Sequence, residues 1–132
     1  MRKHEMKFCT SLQKWLKYNM KHTCFIEAKI SIDDKPFNFN SGFKPHQLPT
    51  LSSIKHNCMA YKISDMDRMQ KPFDIIFARM DKAYVAIMWI RKGNKVFYLI
   101  DPDTVQGEID SGLKSMTEAR AEKLAVIRGI LK

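Results

Sequence analysis

The first apolar residues of the chain recur at helical spacing, with lysines on the opposite face; they are Phe8, Leu12, Trp15, Leu16 and Met20. This spacing predicts an amphipathic helix over residues 4–20 that buries one stripe. A basic amphipathic helix also fits a membrane surface. Strand patterns in the rest of the chain favour packing against a sheet instead.

Residues 23–31 alternate between two faces, which is typical of a β-strand. One face carries Cys24, Ile26, Ala28 and Ile30, and the other carries Phe25, Glu27, Lys29 and Ser31. A loop over 33–42 and a short helix over 44–56 follow. Pro45 fits the first turn of that helix, whereas Pro49 predicts a kink or a late start.

The second half of the chain predicts further strands and a closing helix. Residues 59–63 and 73–79 form a predicted hairpin, and the run AYVAIMWI, apolar on both faces, predicts a central strand. RKGNK then predicts a turn, after which VFYLID forms a strand antiparallel to the central strand. After a glycine-containing loop, SMTE predicts a capping box for a last helix with the stripe Ala121, Leu124, Ile127 and Leu131. We therefore expect a single α/β domain over 1–132, with a mixed central sheet flanked by helices.

Composition favours a nucleic-acid partner. The chain has 23 Lys and Arg against 14 Asp and Glu, a formal net charge of +9, which suits a polyanion. Three widely spaced cysteines predict reduced thiols in a cytoplasmic protein, and no apolar run approaches the roughly 20 residues that span a bilayer. We expect no membrane association and, without GxGxxG or Walker A motifs, no nucleotide cofactor.

Residues suited to phosphodiester hydrolysis lie on the predicted strands and the short helix. Glu27 and Lys29 share one strand face, and Gln47 and Asp74 follow later in the chain. Two carboxylates are suitable ligands for Mg²⁺ or Mn²⁺, and a lysine can stabilise charge that develops on the phosphate. A glutamine can orient the attacking water or hold a phosphate. A solvated Glu–Lys pair and a local backbone contact of Gln47 are the simpler interpretations.

The stretches FIEAKI, Pro36-Phe37 and FKPHQ, with AYVAIMWIRKGNKVFYLIDPD later on, resemble RecU-type Holliday junction resolvases of the PD-(D/E)xK nuclease superfamily. The resemblance implies a restriction-endonuclease-like core in which Glu27 binds metal, Lys29 is the catalytic lysine and Gln47 belongs to the active site. It also implies a homodimer that resolves branched double-stranded DNA in a bacterial cell or a phage-infected host. Glu5 corresponds to an additional carboxylate that some relatives carry on the first helix.

The order of the elements departs from that family. Its metal-binding aspartate lies on a hairpin before the ExK strand, whereas here the first helix leads almost directly to Glu27. We therefore expect a permuted hairpin over 59–79 that brings Asp74 to Glu27, with Asp101 and Asp65 as substitutes. Lys44, His46, Lys55 and Lys62 are the predicted contacts to DNA phosphates.

Three other interpretations stay open. The same fold can serve a nickase or a restriction-like nuclease, or a non-catalytic module that binds DNA or a protein partner. His22-x-Cys24 and His56-x-Cys58 also permit a Cys₂His₂ zinc site, although structural zinc sites usually use closer cysteine pairs.

Overall fold

The computed structural model describes residues 2–20, 22–57, 59–62, 75–78 and 82–131. Within these ranges, and with the elements numbered in chain order, the helices are α1 (Arg2–Asn19), α2 (Phe39–Gly42), α3 (Gln47–His56), α4 (Pro102–Asp110) and α5 (Glu118–Leu124). The strands are β1 (Phe25–Ile32), β2 (Phe37–Asn38), β3 (Met59–Lys62), β4 (Ile75–Ala78), β5 (Ala83–Ile90), β6 (Val96–Ile100), β7 (Ser115–Met116) and β8 (Ile127–Ile130).

The largest sheet of the described residues has four strands in the order β1-β5-β6-β8. β1 pairs in parallel with β5, and β6 pairs antiparallel with both β5 and β8. Residues 83–89 of β5 are all buried, because helices cover both faces of this inner strand. The predicted α/β architecture, a mixed sheet flanked by helices, is confirmed.

The two faces of the sheet carry different layers. On one face, Phe8 and Leu12 of α1 pack with Ile30 and Phe97 in one buried cluster. On the other, the apolar residues of α3, α4 and α5 join Val85, Ile87 and Ile100 in a second cluster. Alternation along β1 follows this division, as predicted: the even-numbered residues from Cys24 to Ile30 contact the α1 layer, and Phe25 contacts the α3 layer. Glu27 and Lys29 therefore face α3.

Helix α3 begins late. Its first residue is Gln47, so Pro45 lies before the helix and Pro49 lies in the first turn. There the missing N–H of Pro49 costs no intrahelical hydrogen bond. Of the two outcomes that Pro49 predicted, the late start is the one observed.

The expected loop after β6 is wrong, because residues 102–110 form α4. Asp101 is the N-cap of α4, and its Oδ1 accepts from the backbone N–H of Asp103 at 2.8 Å. Pro102 occupies the first turn, where its fixed φ favours the helix.

The predicted last helix is also wrong beyond Leu124. Residues 127–130 form the edge strand β8, and the N-cap of α5 is Thr117, whose Oγ1 accepts from Arg120 N at 3.2 Å. The capping box does not form. Glu118 instead accepts hydrogen bonds from Arg91, at 2.6 Å, and from the Tyr98 hydroxyl, at 3.0 Å, which fasten α5 to the sheet.

The predicted hairpin is present in its described part. β3 and β4 pair antiparallel, with Met59 opposite Ala78, as a separate two-stranded sheet. Asp65 and Asp74 lie outside the described residues, as do Cys58 and the side chain of Lys62. No described helix is long and apolar enough to cross a membrane.

Candidate active site at the open edge of the sheet

Glu27, Lys29 and Gln47 form one connected group. Lys29 Nζ lies 3.2 Å from Glu27 Oε1, and Gln47 Nε2 donates to the same oxygen at 2.7 Å. Residues two apart on a strand point to one face, and the start of α3 lies over that face. The sequence predicted that these three residues share a site, and the structure brings them together.

The orientation of the Gln47 amide follows from its second contact. Its Oε1 accepts from the backbone N–H of Lys44 at 2.9 Å. A backbone N–H can only donate, so the amide oxygen must face Lys44 and the NH₂ group must face Glu27. The loop before α3 therefore fixes a donor on the carboxylate, and Gln47 makes both a local backbone contact and a long-range site contact.

Lys29 is buried for a charged residue, with 8% of its surface exposed. Its ammonium lies 5.7 Å from the centroid of the Phe43 ring, within the range of a cation–π interaction. Phe43 belongs to the FKPHQ stretch, but no role was predicted for its ring. An aromatic residue just before the KPHQ segment was the available signal. The ring and the carboxylate together hold the amine in one position.

β1 is an edge strand of the four-stranded sheet within the described part of the chain. The N–H of Phe25 bonds the carbonyl of Lys82 next to β5. In a parallel ladder, alternate residues direct their backbone groups to the same neighbour. Odd-numbered residues of β1 therefore bond β5, and the carbonyl of Ala28 is directed to the opposite edge of β1, where no other described strand pairs.

Electrostatics connect α1 to the same edge. Burial raises the pKa of the Cys9 thiol, and the carboxylates of Glu5 and Glu27 raise it further, while Lys29 acts in the opposite direction. Glu5 and Glu27 thus both lie within electrostatic reach of Cys9. That Glu5 is an additional carboxylate of the site stays a prediction.

These groups offer a divalent cation hard oxygen ligands, namely the Glu27 carboxylate and the Ala28 carbonyl, which suit Mg²⁺ or Mn²⁺. No group of three or more His, Cys, Asp or Glu side chains that could hold a metal ion occurs among the described residues. Glu27 is the carboxylate in contact with Lys29 and Gln47, and the predicted second metal ligand, Asp74, lies outside the described ranges. The proposed zinc site includes Cys58, which is also outside them, and Cys24 packs against the α1 layer.

The predicted phosphate contacts separate into two groups. Lys44 and His46 are exposed in the loop beside Gln47. Lys55, at the other end of α3, forms ion pairs with Asp101 and Asp103. Because these carboxylates neutralise Lys55, it is a weaker candidate for a phosphate than Lys44.

A second charged network joins the end of α3 to the start of α4. Asp103 accepts from Ser52 Oγ at 3.1 Å and contacts His56 Nε2 at 2.7 Å, and Lys55 lies 3.3 Å away. Hydrogen bonding to His56, then to Ser52 and Lys55, lowers the pKa of Asp103. Sequence reasoning missed this network; the Asp-Pro-Asp helix start was the signal that could have found it.

No protein-family model matches the chain, and no curated protein or solved structure gives a significant match.

Proposed function

We propose that this protein is a Mg²⁺- or Mn²⁺-dependent structure-selective endodeoxyribonuclease with a restriction-endonuclease-like core, acting as a homodimer on four-way DNA junctions. The observation that carries the proposal is the Glu27–Lys29–Gln47 group at the open edge of β1. The parallel β1–β5 pair and the helices on both faces are compatible with that core. The reaction and the substrate are inferred from the resemblance of FIEAKI and FKPHQ to junction resolvases.

The ion pair itself supports a functional role. A partly buried Lys–Glu pair stabilises a protein little compared with apolar residues of similar volume, because both charges lose hydration. Here the pair is held by an aromatic ring and by an amide whose orientation the backbone fixes. Such positioning is what a reaction that depends on charge placement requires.

Each residue has a defined task in the proposed reaction. Glu27 and the Ala28 carbonyl would hold the cation, which would lower the pKa of a bound water and neutralise phosphate charge. Lys29 stabilises negative charge on the phosphate that is cut. Gln47 fixes the orientation of Glu27, and Lys44 and His46 bind neighbouring phosphates. Asp74 is the predicted second carboxylate.

The test uses four-way junction, nicked and linear DNA, with Mg²⁺, Mn²⁺ or EDTA, and the variants Glu27→Gln, Lys29→Met and Gln47→Ala. We expect paired symmetric cuts in the junction alone, lost in the first two variants and reduced about 10-fold or more in the third, while binding in EDTA persists. Glu108→Gln is the matched control, since Glu108 is another shielded carboxylate in an ion pair, with Arg120. It should cut normally.

Other outcomes would overturn parts of the proposal. Cleavage of linear DNA by the wild type would indicate a restriction-like enzyme. Normal cleavage by Asp74→Asn would exclude Asp74 and direct the search to Asp65 and Asp101. Tight binding without cleavage in either metal would show a non-catalytic DNA-binding module. That module is the second candidate function, because α1 ends at Asn19 and β1 begins at Phe25, which leaves no room before Glu27 for the hairpin that carries the metal-binding aspartate in the resolvases.

A further inference from the structure

Helix α1 carries a row of exposed lysines on its outer side. Lys3, Lys7, Lys14 and Lys17, here called the lysine row, are all exposed. At 3.6 residues per turn they fall within an arc of about 80°, opposite Phe8 and Leu12, and they span about 21 Å along the helix. None of them forms an ion pair with another described residue, unlike Lys29 and Lys55.

The row lies on the other side of the sheet from the candidate active site. α1 covers the face that carries Ala86 and Met88, whereas Glu27, Lys29 and Gln47 lie on the face that carries Val85 and Ile87. The two surfaces are separated by the thickness of the sheet and of α1. One straight duplex seated on the candidate site therefore cannot also run along the whole row.

The charge of the row selects a polyanion as its partner. A duplex presents one phosphate per about 3.4 Å of axis on each strand, so a 21 Å row faces about six phosphates of one strand. An anionic membrane is the other surface with such charge. It needs an apolar face to insert, and the apolar face of α1 is already buried in the core, with Phe8 3% and Leu12 2% exposed.

We propose that the lysine row binds the phosphate backbone of a second duplex arm, distinct from the arm that is cut. The inference rests on the proposed function for the identity of the substrate. It adds a physical reason why branched DNA would be preferred over a linear duplex. A junction can occupy both surfaces of the protein at once, whereas a linear duplex occupies one at a time. Simultaneous occupation raises affinity without any new contact.

The experiment compares two variants of equal charge. One changes the lysine row (Lys3→Gln, Lys7→Gln, Lys14→Gln and Lys17→Gln), and the control changes four exposed lysines elsewhere: Lys92→Gln, Lys95→Gln, Lys114→Gln and Lys123→Gln. Both variants reduce the formal net charge from +9 by four. Binding to a synthetic four-way junction and to a linear duplex is measured by fluorescence anisotropy in EDTA over a salt series, after circular dichroism has shown that both variants fold.

We expect the row variant to lose about 10-fold or more in junction affinity and to show a salt slope smaller by about 3 to 4, since each phosphate contact contributes about 0.9. The ratio of its affinity for the junction to its affinity for the linear duplex should fall toward one. The control variant should keep most of that preference. Neither variant should differ from the wild type in co-sedimentation with vesicles of anionic phospholipid.

Equal losses in the two variants, or an unchanged junction preference in the row variant, would refute the second-arm surface. Loss of vesicle binding in the row variant with unchanged DNA affinity would assign the row to membranes instead. The two proposals fail separately. If the wild type cuts junctions and the row variant binds them normally, only the second-arm surface is refuted. If junction binding depends on the row but the wild type does not cut, only the nuclease proposal is refuted.

Discussion

The replacement Gly129→Ala tests the position of the edge strand β8, which the sequence did not predict. Gly129 is paired with Phe97 of β6. A Cβ at Gly129 would lie 2.2 Å from Phe97 Cζ and 2.4 Å from Cε1, whereas carbon atoms pack at about 3.5–4.0 Å. The ring would have to move by more than about 1 Å.

Phe97 has little room to move. It is fully buried, and its ring is flanked by Phe8, at a centroid distance of 6.2 Å, and by Trp15, at 5.0 Å. Overpacking of this kind costs about 1–3 kcal/mol. The loss of unfolded-state entropy on replacing glycine returns about 0.4–1 kcal/mol. We therefore expect Gly129→Ala to lower the free energy of unfolding by about 1–2 kcal/mol.

Urea unfolding followed by circular dichroism and tryptophan fluorescence measures this difference. Gly107→Ala is the matched control, because a Cβ there meets nothing within 4 Å and the residue lies in helix α4; it should stabilise the protein by about 0.5–1 kcal/mol. With Phe97→Leu, the double variant should be more stable than the sum of the single effects predicts. Wild-type stability of Gly129→Ala, or additivity within about 0.5 kcal/mol, would refute the β6–β8 register.

Three further predictions concern stability. Thr117→Ala should destabilise the protein by about 1 kcal/mol because it removes the N-cap of α5. Ser115→Ala should change the free energy of unfolding by less than about 0.5 kcal/mol. A larger loss for Ser115→Ala than for Thr117→Ala in thermal unfolding would show that Ser115 is the N-cap, as the capping box predicted. Leu12→Ala should cost about 2–5 kcal/mol, since Leu12 is 2% exposed under the sheet, and a loss below 1 kcal/mol in urea would contradict the docking of α1. Because the folded pKa of Asp103 is lowered, its carboxylate stabilises the protein above the unfolded pKa near 3.9, and this contribution disappears as the pH falls through the folded value. Asp103→Asn should therefore be less stable than the wild type at pH 6 and should approach it in acid; a difference independent of pH would show that the ionised carboxylate does not stabilise the fold.

The candidate site was largely predictable because it depends on local periodicity. Strand alternation places Glu27 and Lys29 on one face whatever the rest of the chain does. Gln47 required the start of α3 to reach β1, which spacing alone does not give. The resemblance of the KPHQ segment to a known site indicated it, and the hydrogen bond between Gln47 and Glu27 now places it there.

The errors arose where one local pattern fits two elements. Asp101-Pro102-Asp103 is compatible with a turn and with a capped helix. The helix α4 forms because the apolar residues that follow pack on the sheet. Residues after Leu124 have helical spacing, but the open edge of β6 binds their backbone. Pairing there satisfies N–H and C=O groups that β6 would otherwise expose.

By itself, the sequence determined the amphipathic first helix, the two faces of β1, the buried central strand and the excess of positive charge, since each depends on residues near one another in the chain. Tertiary structure decided which strand lies at each edge, which helices lie on each face and how the lysines are partnered. Lys55 is neutralised by acids about 46 residues away, whereas the lysines of α1 stay exposed. Long-range packing sets these relations, because a side chain's charge is available to a ligand only if no other part of the fold has paired with it.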